Sequence, residues 1–542
     1  MRLGFGHVNV ILILLFCILR LHKRRFAEFL ILISASFAIF LILCSSLPSL
    51  SLPYGDTWDT PVRWVINHKS ELSGKFADET FANRLSHFFS AIFSQHNESR
   101  KVTLKLLALS TDFYIPAFGA AWNILSFVIR ALTVLVVTLP LSGMISRRLS
   151  GRAASGKILY LTYYLLVGYG LFVYATGPAN LWNGLWEVQT SFFLGILFAM
   201  LAIGCYGKLI LNLANSSFHS ARDNAAFKHV WYRLLGNPAL AIYASVFSWI
   251  SIFSFSGNVG IAIVCAGLWI YGTLLNFRRG ISVAGLMRCP PFLYCSASLA
   301  SMFLSVGLFF HGWSSVPGHD YLRGGLNLRY ILFFLGNFYQ TLISPSSILY
   351  CLALLPVVFL GLAGLYFLKS PSQCPQIFLI TGSQLIFLLG LACASSIGRS
   401  GGGVEYALGP RYNSISILYS YLSILLFFGL TVSYGIARSF NYLMNGLVVL
   451  GILVGVNANL KWYGRIYSHR DRLKRSEQCF NELYLAKTSP EISNVENSEC
   501  YKEWYPDYES LGSWFAVNAC FDHRLLAISA TARKVCDGRT SP

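Results

Sequence analysis

Charged residues are scarce in this chain, because Asp, Glu, Lys and Arg make up only 12% of its 542 residues while hydrophobic residues make up 55%. The mean hydropathy of +0.55 is too high for a water-soluble globular protein. Several apolar runs reach the roughly 20 residues that a helix needs to cross a hydrocarbon core, and their length favours helices over barrel strands. The sequence therefore predicts an all-α integral membrane protein.

Acidic residues are the scarcer charged kind, since 23 Asp and Glu accompany 42 Lys and Arg and leave a net charge of +19. The two long polar regions do not hold this excess: residues 48–101 contain six acids and six bases, and residues 461–542 contain eleven acids and twelve bases. The surplus bases lie in the short loops between apolar runs, which is the positive-inside pattern of membrane proteins. We therefore predict a lipid bilayer as the surroundings and no nucleic-acid partner.

Cysteines with metal-ligand spacing are absent, and no CxxC motif occurs among the 13 cysteines. No cofactor is predicted, although a divalent metal is left open. Nine of the cysteines lie in or beside apolar runs. The other four permit two disulfides, whose pairing is left open, if they face an oxidising compartment. These four are Cys479, Cys500, Cys520 and Cys536.

The basic residues order the apolar runs into one topology. The basic segment Arg20–Arg25 belongs in the cytoplasm, so residues 48–101 lie outside, and the later basic loops then fall on the inner side. The 14-residue apolar stretch Tyr330–Ile343 is too short to cross and is predicted to be re-entrant or interfacial. The count gives about 11–12 transmembrane helices and a C-terminus on the non-cytoplasmic side. The predicted spans are Val8–Leu19 (as an uncleaved helix), Phe26–Leu47, Gly119–Ile145, Ile158–Gly177, Thr190–Leu211, Ala239–Phe255, Val259–Leu275, Pro291–His311, Ile348–Leu368, Ile377–Ser396, Ser414–Ile436 and Tyr442–Val456.

This topology divides the chain into four parts. N-terminal membrane helices occupy residues 1–47, and a large first external loop occupies residues 48–101. Within that loop, His68–Phe93 has apolar residues at helical spacing, which predicts a helix in the membrane interface or, alternatively, a small packed lid. A multi-helix membrane domain follows over residues 102–460, and a small external C-terminal region over residues 461–542.

The first external loop holds the leading candidates for catalysis, Asp56 and Asp59. Both follow a membrane helix directly, so they lie close to the lipid interface where a lipid-linked substrate would present its head group. No helix-capping role is evident for Asp56, which is therefore predicted to be catalytic or to orient a substrate. Asp59 precedes the helix start Thr60-Pro61, so it is either catalytic or a residue that favours the helix dipole.

Three further outer segments concentrate polar groups that could bind a substrate. Each has a plain alternative, namely a solvated loop, tryptophan anchors at the interface, or loop flexibility. The third segment is glycine-rich and is bracketed by two arginines, whose guanidinium groups and nearby backbone amides suit a lipid phosphate. The candidates are His96, Glu98 and Arg100 in the first segment, Trp186, Glu187 and Gln189 in the second, and Arg399 and Arg411 in the third.

The order of these features resembles the GT-C class of polytopic membrane glycosyltransferases, which use polyprenyl-phosphate-linked sugars. Several short motifs also resemble recurring motifs in a group of bacterial membrane proteins. Ser99 stands where that pattern has His, and Asp56 is single where better-known members have an adjacent acidic pair. The motifs are His96–Arg100, Trp186–Phe193, Gly398-Arg399, Arg411-Tyr412 and Tyr505–Asp507.

The resemblance implies transfer of a sugar from a polyprenyl-phosphate donor to a glycan or lipid acceptor on the non-cytoplasmic face of a bacterial inner membrane. Asp56, with Asp59 near it, would accept the proton of the acceptor hydroxyl. Arg399 and Arg411 would stabilise the departing phosphate. The resemblance assigns substrate binding to the remaining candidates, which are His96, Glu98, Arg100, Trp186, Glu187, Gln189 and Tyr412. Nothing in the sequence requires a metal, and a divalent metal is left open.

Two other functions fit the same composition. A transporter or flippase of a lipid-linked glycan would need polar groups deep within the spans, where Arg130 is the clearest charge. A non-catalytic assembly subunit would tolerate loss of Asp56, Arg399 and Arg411. Because the carboxylates collect on the predicted outer face, the sequence favours the glycosyltransferase.

Overall fold

A computed structural model describes most of the membrane domain. It covers residues 26–45, 80–95, 101–110, 118–149, 153–177, 189–216, 227–314, 322–341, 347–369, 375–409, 412–434, 446 and 448–464. Of these residues 91% are helical, and none of them lies in a strand. Within the same ranges, seven helices are long and apolar enough to cross a membrane, and three shorter helices are apolar. The protein is therefore an all-α, multi-pass membrane protein, as its composition predicts.

The helices are numbered in chain order. The first eight are α1 (Phe26–Ser45), α2 (Phe81–Phe93), α3 (Val102–Ser110), α4 (Phe118–Leu149), α5 (Ala153–Gly170), α6 (Gln189–Ser216), α7 (Phe227–Ser254) and α8 (Gly260–Arg278). The next are α9 (Val283–Met287), α10 (Pro290–Phe310), α11 (Leu328–Gly336), α12 (Ser347–Lys369), α13 (Ser383–Arg399), α14 (Asn413–Tyr434) and α15 (residues 448–464). Wider π-helical turns extend α5 over Leu171–Ala175 and precede α13 over Phe378–Gly382.

The predicted spans agree with the observed helices to within a few residues at most ends. The main difference is α7, which begins at Phe227 rather than at the predicted Ala239. The first turns of this helix contain Lys228, His229 and Arg233, which lower their hydropathy, so an apolar-run search does not reveal them. Pro238 lies inside α7 without ending it, as membrane helices tolerate. The predicted helix Val8–Leu19 lies outside the described residues.

Helix α6 is the centre of the bundle and packs against α4, α7, α8 and α10. Elsewhere, small residues allow helices to approach closely, as is common in membranes. At the contact of α5 with α14, the Tyr421 hydroxyl donates to the Leu166 carbonyl at 3.0 Å. A Cβ atom at Gly170 would lie 2.6 Å from the Tyr421 Oη, so only glycine fits there. Hydrophobicity does not favour contact between two apolar helices over contact between a helix and lipid. Close packing of this kind therefore decides which helices touch.

Hydroxyl and indole groups join α7 to α10 and α6. The Ser245 and Ser298 hydroxyls are 3.1 Å apart, and the Trp249 indole donates to the Ser301 Oγ at 3.0 Å. The Ser251 hydroxyl donates to the Gly195 carbonyl of α6 at 2.6 Å. In a hydrocarbon environment each such bond removes a polar group from lipid, which favours this arrangement of the three helices.

Helix α2 lies at the end of the bundle where α7 and α10 finish. Its Phe93 ring contacts Phe253 of α7, with ring centroids 5.2 Å apart. Gln95, just after the helix, exchanges two hydrogen bonds with the backbone of Ser314, at 2.7 Å and 3.0 Å. The helix confirms the predicted helical spacing in the second half of His68–Phe93. Its first three turns leave Phe81 and Phe89 exposed.

Lys105 of α3 has no exposed surface and closes the C-terminal end of α2. Its Nζ donates to the carbonyl oxygen and to the Oγ of Ser94, both at 2.7 Å. The carbonyl oxygens of Ile92 and Ala91 lie 3.3 Å and 3.4 Å from the same Nζ. The last carbonyls of a helix have no partner within it and carry the negative end of its dipole, so a cation here stabilises α2.

The bundle has two ends, and each is named by an arginine at the end of a helix. The end where α13 finishes at Arg399 is called the Arg399 end, and the opposite one, where α8 finishes at Arg278, is called the Arg278 end. The turn Ser256–Val259 lies toward the Arg399 end, between α6 and α13. Gln189, the first residue of α6, therefore lies at the Arg399 end.

Candidate functional site

Three of the candidate residues fall within the described part of the chain: Gln189, Arg399 and Tyr412. The structure therefore tests their surroundings directly. The remaining candidates lie outside the described residues, and their predicted roles stay predictions. They are Asp56, Asp59, His96, Glu98, Arg100, Trp186, Glu187 and Arg411.

Arg399 is the last residue of α13 and is followed by a compact turn rather than by an open loop. The chain forms one 3₁₀ turn over Ser400–Gly402 and another over Val404–Leu408. Gly403 joins them with a φ of 103°, a backbone conformation that side chains other than glycine rarely adopt. Part of the glycine content of this segment is thus explained by its backbone shape, and Arg399 is held on an ordered helix end.

The segment before α11 packs directly on this helix end. The Gly324 amide donates to the Ile397 carbonyl at 2.9 Å, and the Ser400 hydroxyl donates to the Gly325 carbonyl at 3.1 Å. The backbones are so close that a Cβ on Gly324 would lie 2.7 Å from the Gly401 nitrogen. This contact brings the loop that carries Arg323 against the end of α13, where Arg399 lies.

Helix α11 lies along the same turn. Its two ends contact residues just before and just after that turn. At the start, Asn327 caps the helix by accepting from the Tyr330 amide at 3.1 Å, and its own amide donates to the Ser396 hydroxyl at 2.9 Å. At the finish, the Asn337 side chain donates to the Gly409 carbonyl at 2.9 Å. Both ends of α11 are therefore at the Arg399 end, which confirms that this stretch does not cross the membrane.

Tyr412 packs on α11, the same helix that contacts the end of α13. Its ring lies 4.7 Å from the ring of Phe334, measured between centroids. The Tyr330 hydroxyl, on the same helix, lies 3.1 Å from the Ser395 Oγ of α13. The structure thus places Arg399 and Tyr412 around one buried helix, as neighbours of α11. We call this group of Arg323, Arg399, Tyr412 and α11 the arginine rim.

A second site is centred on Arg130 of α4, and Gln189 lies about one helical turn before one of its members, Phe193. Arg130 has no exposed surface. Its guanidinium carbon lies 5.1 Å from the ring centroid of Phe193 and 5.9 Å from that of Phe40. Gln189 precedes Phe193 by four residues, so the two share one face of α6.

Tyr174 and Ser126 complete the surroundings of Arg130. Tyr174 is fully buried in the π-helical turn that extends α5, and it lies near Arg130. The Arg130 Nε donates to the Ser126 carbonyl at 3.2 Å. The buried Ser126 hydroxyl has no hydrogen-bond partner within the described ranges. We call Phe40, Ser126, Arg130, Tyr174 and Phe193 the arginine pocket.

The arginine pocket lies toward the Arg399 end of the membrane domain. Arg130 stands twelve residues after the first residue of α4, Phe118, and it lies within the apolar stretch Ile124–Ile145 of that helix. A charge at such a depth is costly in lipid and marks a functional site more often than a structural one. π-helical turns are likewise frequent at functional sites. Two independent features therefore point to the same residues.

Sequence patterns indicated the rim better than the pocket. Arg399 and the glycines that follow it are adjacent in sequence, so they could be selected as candidates. The pocket joins residues from α1, α4, α5 and α6, and only the lone charge of Arg130 within an apolar run gave a signal. Arg323 and Gly324 were missed because their contact with α13 joins segments about 75 residues apart.

The chemistry available at these sites is anion binding. Arg130 and Arg399 supply delocalised positive charge, and the rings of Phe40 and Phe193 lie beside the buried guanidinium of Arg130. Among the described residues, no group of three or more His, Cys, Asp or Glu could hold a metal ion. Comparison of the whole chain with protein-family models, with curated proteins and with solved structures finds no match.

Proposed function

We propose that this protein is a membrane glycosyltransferase that transfers a sugar from a polyprenyl-phosphate donor to a glycan or lipid acceptor. The observation that supports this proposal most strongly is Arg130, a buried cation inside the apolar stretch of α4, in the half of that helix nearer the Arg399 end. A polyprenyl phosphate combines a long apolar chain with an anionic group at the membrane boundary. A guanidinium enclosed by aromatic rings at this depth is complementary to both parts.

The arginine rim supports the same proposal at a shallower level. Arg399 and Arg323 lie at the Arg399 end, which the predicted topology puts on the non-cytoplasmic side. With Arg411, they would attract the phosphate of the donor and stabilise it as it departs. Tyr412 and Gln189 would contact the sugar or the acceptor. The rim stands on helix ends and 3₁₀ turns fixed by backbone hydrogen bonds, so its groups are placed before a substrate binds.

In the proposed reaction the acceptor hydroxyl attacks the anomeric carbon of the donor sugar. The bond from that carbon to the phosphate oxygen breaks, its electron pair stays on the polyprenyl phosphate, and the hydroxyl proton passes to the carboxylate of Asp56. Asp59, His96, Glu98, Arg100, Trp186 and Glu187 remain the proposed neighbours of the substrate. The site of reaction is the non-cytoplasmic face of a bacterial inner membrane.

The experiment compares lipid extracts and glycans from cells that carry the wild-type protein, no protein, or one of three variants. Asp56→Asn and Arg130→Gln should accumulate an unused polyprenyl-phosphate sugar, as cells without the protein do, and should lack the corresponding glycan. Lys208→Gln is the matched control, because Lys208 is exposed on α6 far from both arginine sites. Mass spectrometry of the lipids gives the readout. Unchanged lipids and glycans in cells without the protein would exclude the glycosyltransferase.

A transporter of a lipid-linked glycan has one observation in its favour. The Thr381 Oγ1 and the Gln384 Oε1 lie buried on one face of the span that contains α13, and neither has a hydrogen-bond partner within the described ranges. Such polar atoms inside a span could serve a passing polar group. The two functions separate in reconstituted vesicles: a transporter moves the intact lipid-linked glycan between leaflets, whereas the transferase releases polyprenyl phosphate without moving the donor.

A further inference from the structure

The segment that joins α8 to α10 is fixed close to the ends of those two helices. Helix α8 finishes in a Schellman motif: the Gly280 amide donates to the Phe277 carbonyl at 2.9 Å and the Ile281 amide to the Asn276 carbonyl at 3.2 Å. Gly280 has the positive φ, 81°, that this motif requires. The short helix α9 follows, and its Leu286 is buried in the main core. The segment therefore lies against the bundle.

The surface of this segment is unusually apolar for a connection between helices. Leu286 is the buried residue of α9, and the rest of that helix is exposed. Val283 and Met287 are 63% and 58% exposed, and they share a face because they are four residues apart. In water such a surface is unfavourable, whereas at the boundary of a lipid leaflet it is buried.

Arginines surround this apolar surface. Arg278 and Arg288 lie on either side of α9 with exposed side chains. Arg279, between them, donates to the Ala214 carbonyl near the end of α6 and so fixes the segment to a third helix. No acidic residue occurs anywhere between Asp223 and Asp320 in the sequence. The surface is therefore positively charged as well as apolar.

The apolar surface continues along the neighbouring helices. Leu274 and Phe277 of α8 are 50% and 40% exposed, and Leu293 of α10 is 48% exposed. Both helices are among those long and apolar enough to cross the membrane, so these side chains belong to their lipid-facing surface. Val283 and Met287 lie at the Arg278 end of that surface. This continuity favours a lipid leaflet over a soluble partner as the occupant.

We propose that residues 278–288, at the Arg278 end, are a docking surface for anionic phospholipid. Val283 and Met287 insert at the level of the acyl chains nearest the head groups. Arg278 and Arg288 bind the phosphate groups of the same lipids, as basic residues near an anionic leaflet do. The surface is at the opposite end of the bundle from both arginine sites, so this proposal is independent of the proposed function.

The test measures lipid retention by the full-length protein in native mass spectrometry. Wild-type protein should retain phosphatidylglycerol in preference to phosphatidylcholine. The double variant Arg278→Gln/Arg288→Gln should lower that preference roughly tenfold, given the attraction of basic side chains to anionic lipid. The control is Arg84→Gln, which removes an exposed arginine of α2, away from residues 278–288 and outside both arginine sites, and should leave the preference unchanged.

Two further arms keep the result decisive. The double variant Arg278→Lys/Arg288→Lys retains the charge and should retain most of the preference. If the glutamine variant fails to fold, the lysine variant together with Met287→Asp, which should also weaken retention, replaces it. Equal retention by the glutamine variant and the wild type would overturn the proposal, and so would an equal loss in the control. Protection of the segment by a soluble polyglutamate peptide, but not by phosphatidylglycerol, would assign the surface to an acidic protein and also overturn it.

Discussion

Lys105 and Arg130 are both cations without exposed surface, and they are held in opposite ways. The ammonium of Lys105 is surrounded by four oxygens of one chain segment, three of them carbonyls at or near the end of α2. The guanidinium of Arg130 lies against two aromatic rings and donates to the Ser126 carbonyl. The first arrangement stabilises a helix end, whereas the second keeps a delocalised charge beside apolar walls.

The neighbours of a buried charge in a membrane protein therefore indicate its role. A cation that satisfies the orphan carbonyls of a helix contributes to stability, and its loss should unfold the helix that it caps. A cation among aromatic rings contributes less to stability, because apolar residues of similar volume often replace buried charges at little cost. Such a residue is better explained by binding. Four substitutions test this contrast, in order of decreasing expected effect.

Arg130→Met should remove function while sparing the fold. We expect sugar transfer to fall about 100-fold, the size found when one charge-stabilising group is lost from an active site. The thermal unfolding midpoint should stay near that of the wild type, because Met fills a similar apolar volume. Lipid-linked sugar analysis and thermal unfolding in detergent provide the two measurements. A stable variant with full transfer would show that Arg130 is not part of the site.

Lys105→Met should have the reverse effect, with a loss of stability of about 2–3 kcal/mol because buried carbonyls lose their donor. Limited proteolysis should then cut near α2 at a lower denaturant concentration than in the wild type. Arg84→Met is the control, since Arg84 is exposed on the same helix and its loss should change stability by no more than about 0.5 kcal/mol. If both variants behave alike, Lys105 is not a cap.

Gly324→Ala should separate the loop before α11 from the end of α13. The added Cβ would overlap the Ser400 side chain and lie 2.7 Å from the Gly401 nitrogen, so the backbone must move. We expect a cost of about 1–3 kcal/mol, as for other overpacked sites, together with weaker substrate binding at the arginine rim. Gly325→Ala is a matched control, because nothing lies within 4 Å of a Cβ there. Equal stability of the two variants would contradict the close contact.

Phe193→Leu should give the smallest effect, through loss of the ring beside Arg130. A double-mutant cycle with Arg130→Met measures this contact alone, and we expect a coupling energy of about 0.5–2 kcal/mol for a desolvated cation and ring. The neighbouring Phe192 packs on Phe255 instead, with centroids 4.9 Å apart, so Phe192→Leu should show almost no coupling to Arg130. Similar coupling for both would mean that the effect is general packing.

The sequence predicted the helices well because crossing a bilayer requires long apolar runs, which hydropathy detects directly. It also separated α11 from the spans, because 14 residues are too few to cross. It failed at the start of α7, where the helix continues through polar residues that carry no hydropathy signal. The length and composition of a segment were sufficient to predict a helix wherever the thickness of the bilayer determines how long the apolar run must be.

The candidate sites were harder to predict, because they depend on contacts between distant parts of the chain. The glycine-rich segment after Arg399 suggested flexibility, yet Gly403 allows a defined turn and Gly324 meets that turn from another loop. The neighbours of Arg130 come from four helices whose packing is decided by local fits such as that of Gly170 against Tyr421. The spacing of residues within one helix does not reveal how that helix packs against another.

Because α11 begins and finishes at the Arg399 end, it adds no membrane crossing. This fixes the direction in which each helix of the C-terminal half runs. If those residues crossed the membrane, α12, α13 and α14 would each run in the opposite direction. Arg399 and Tyr412 would then face the compartment opposite to Gln189. Because α11 begins and finishes beside the same turn, residues more than 200 positions apart in sequence open toward one compartment. A single short helix thus decides whether the arginine rim and the arginine pocket can serve one substrate.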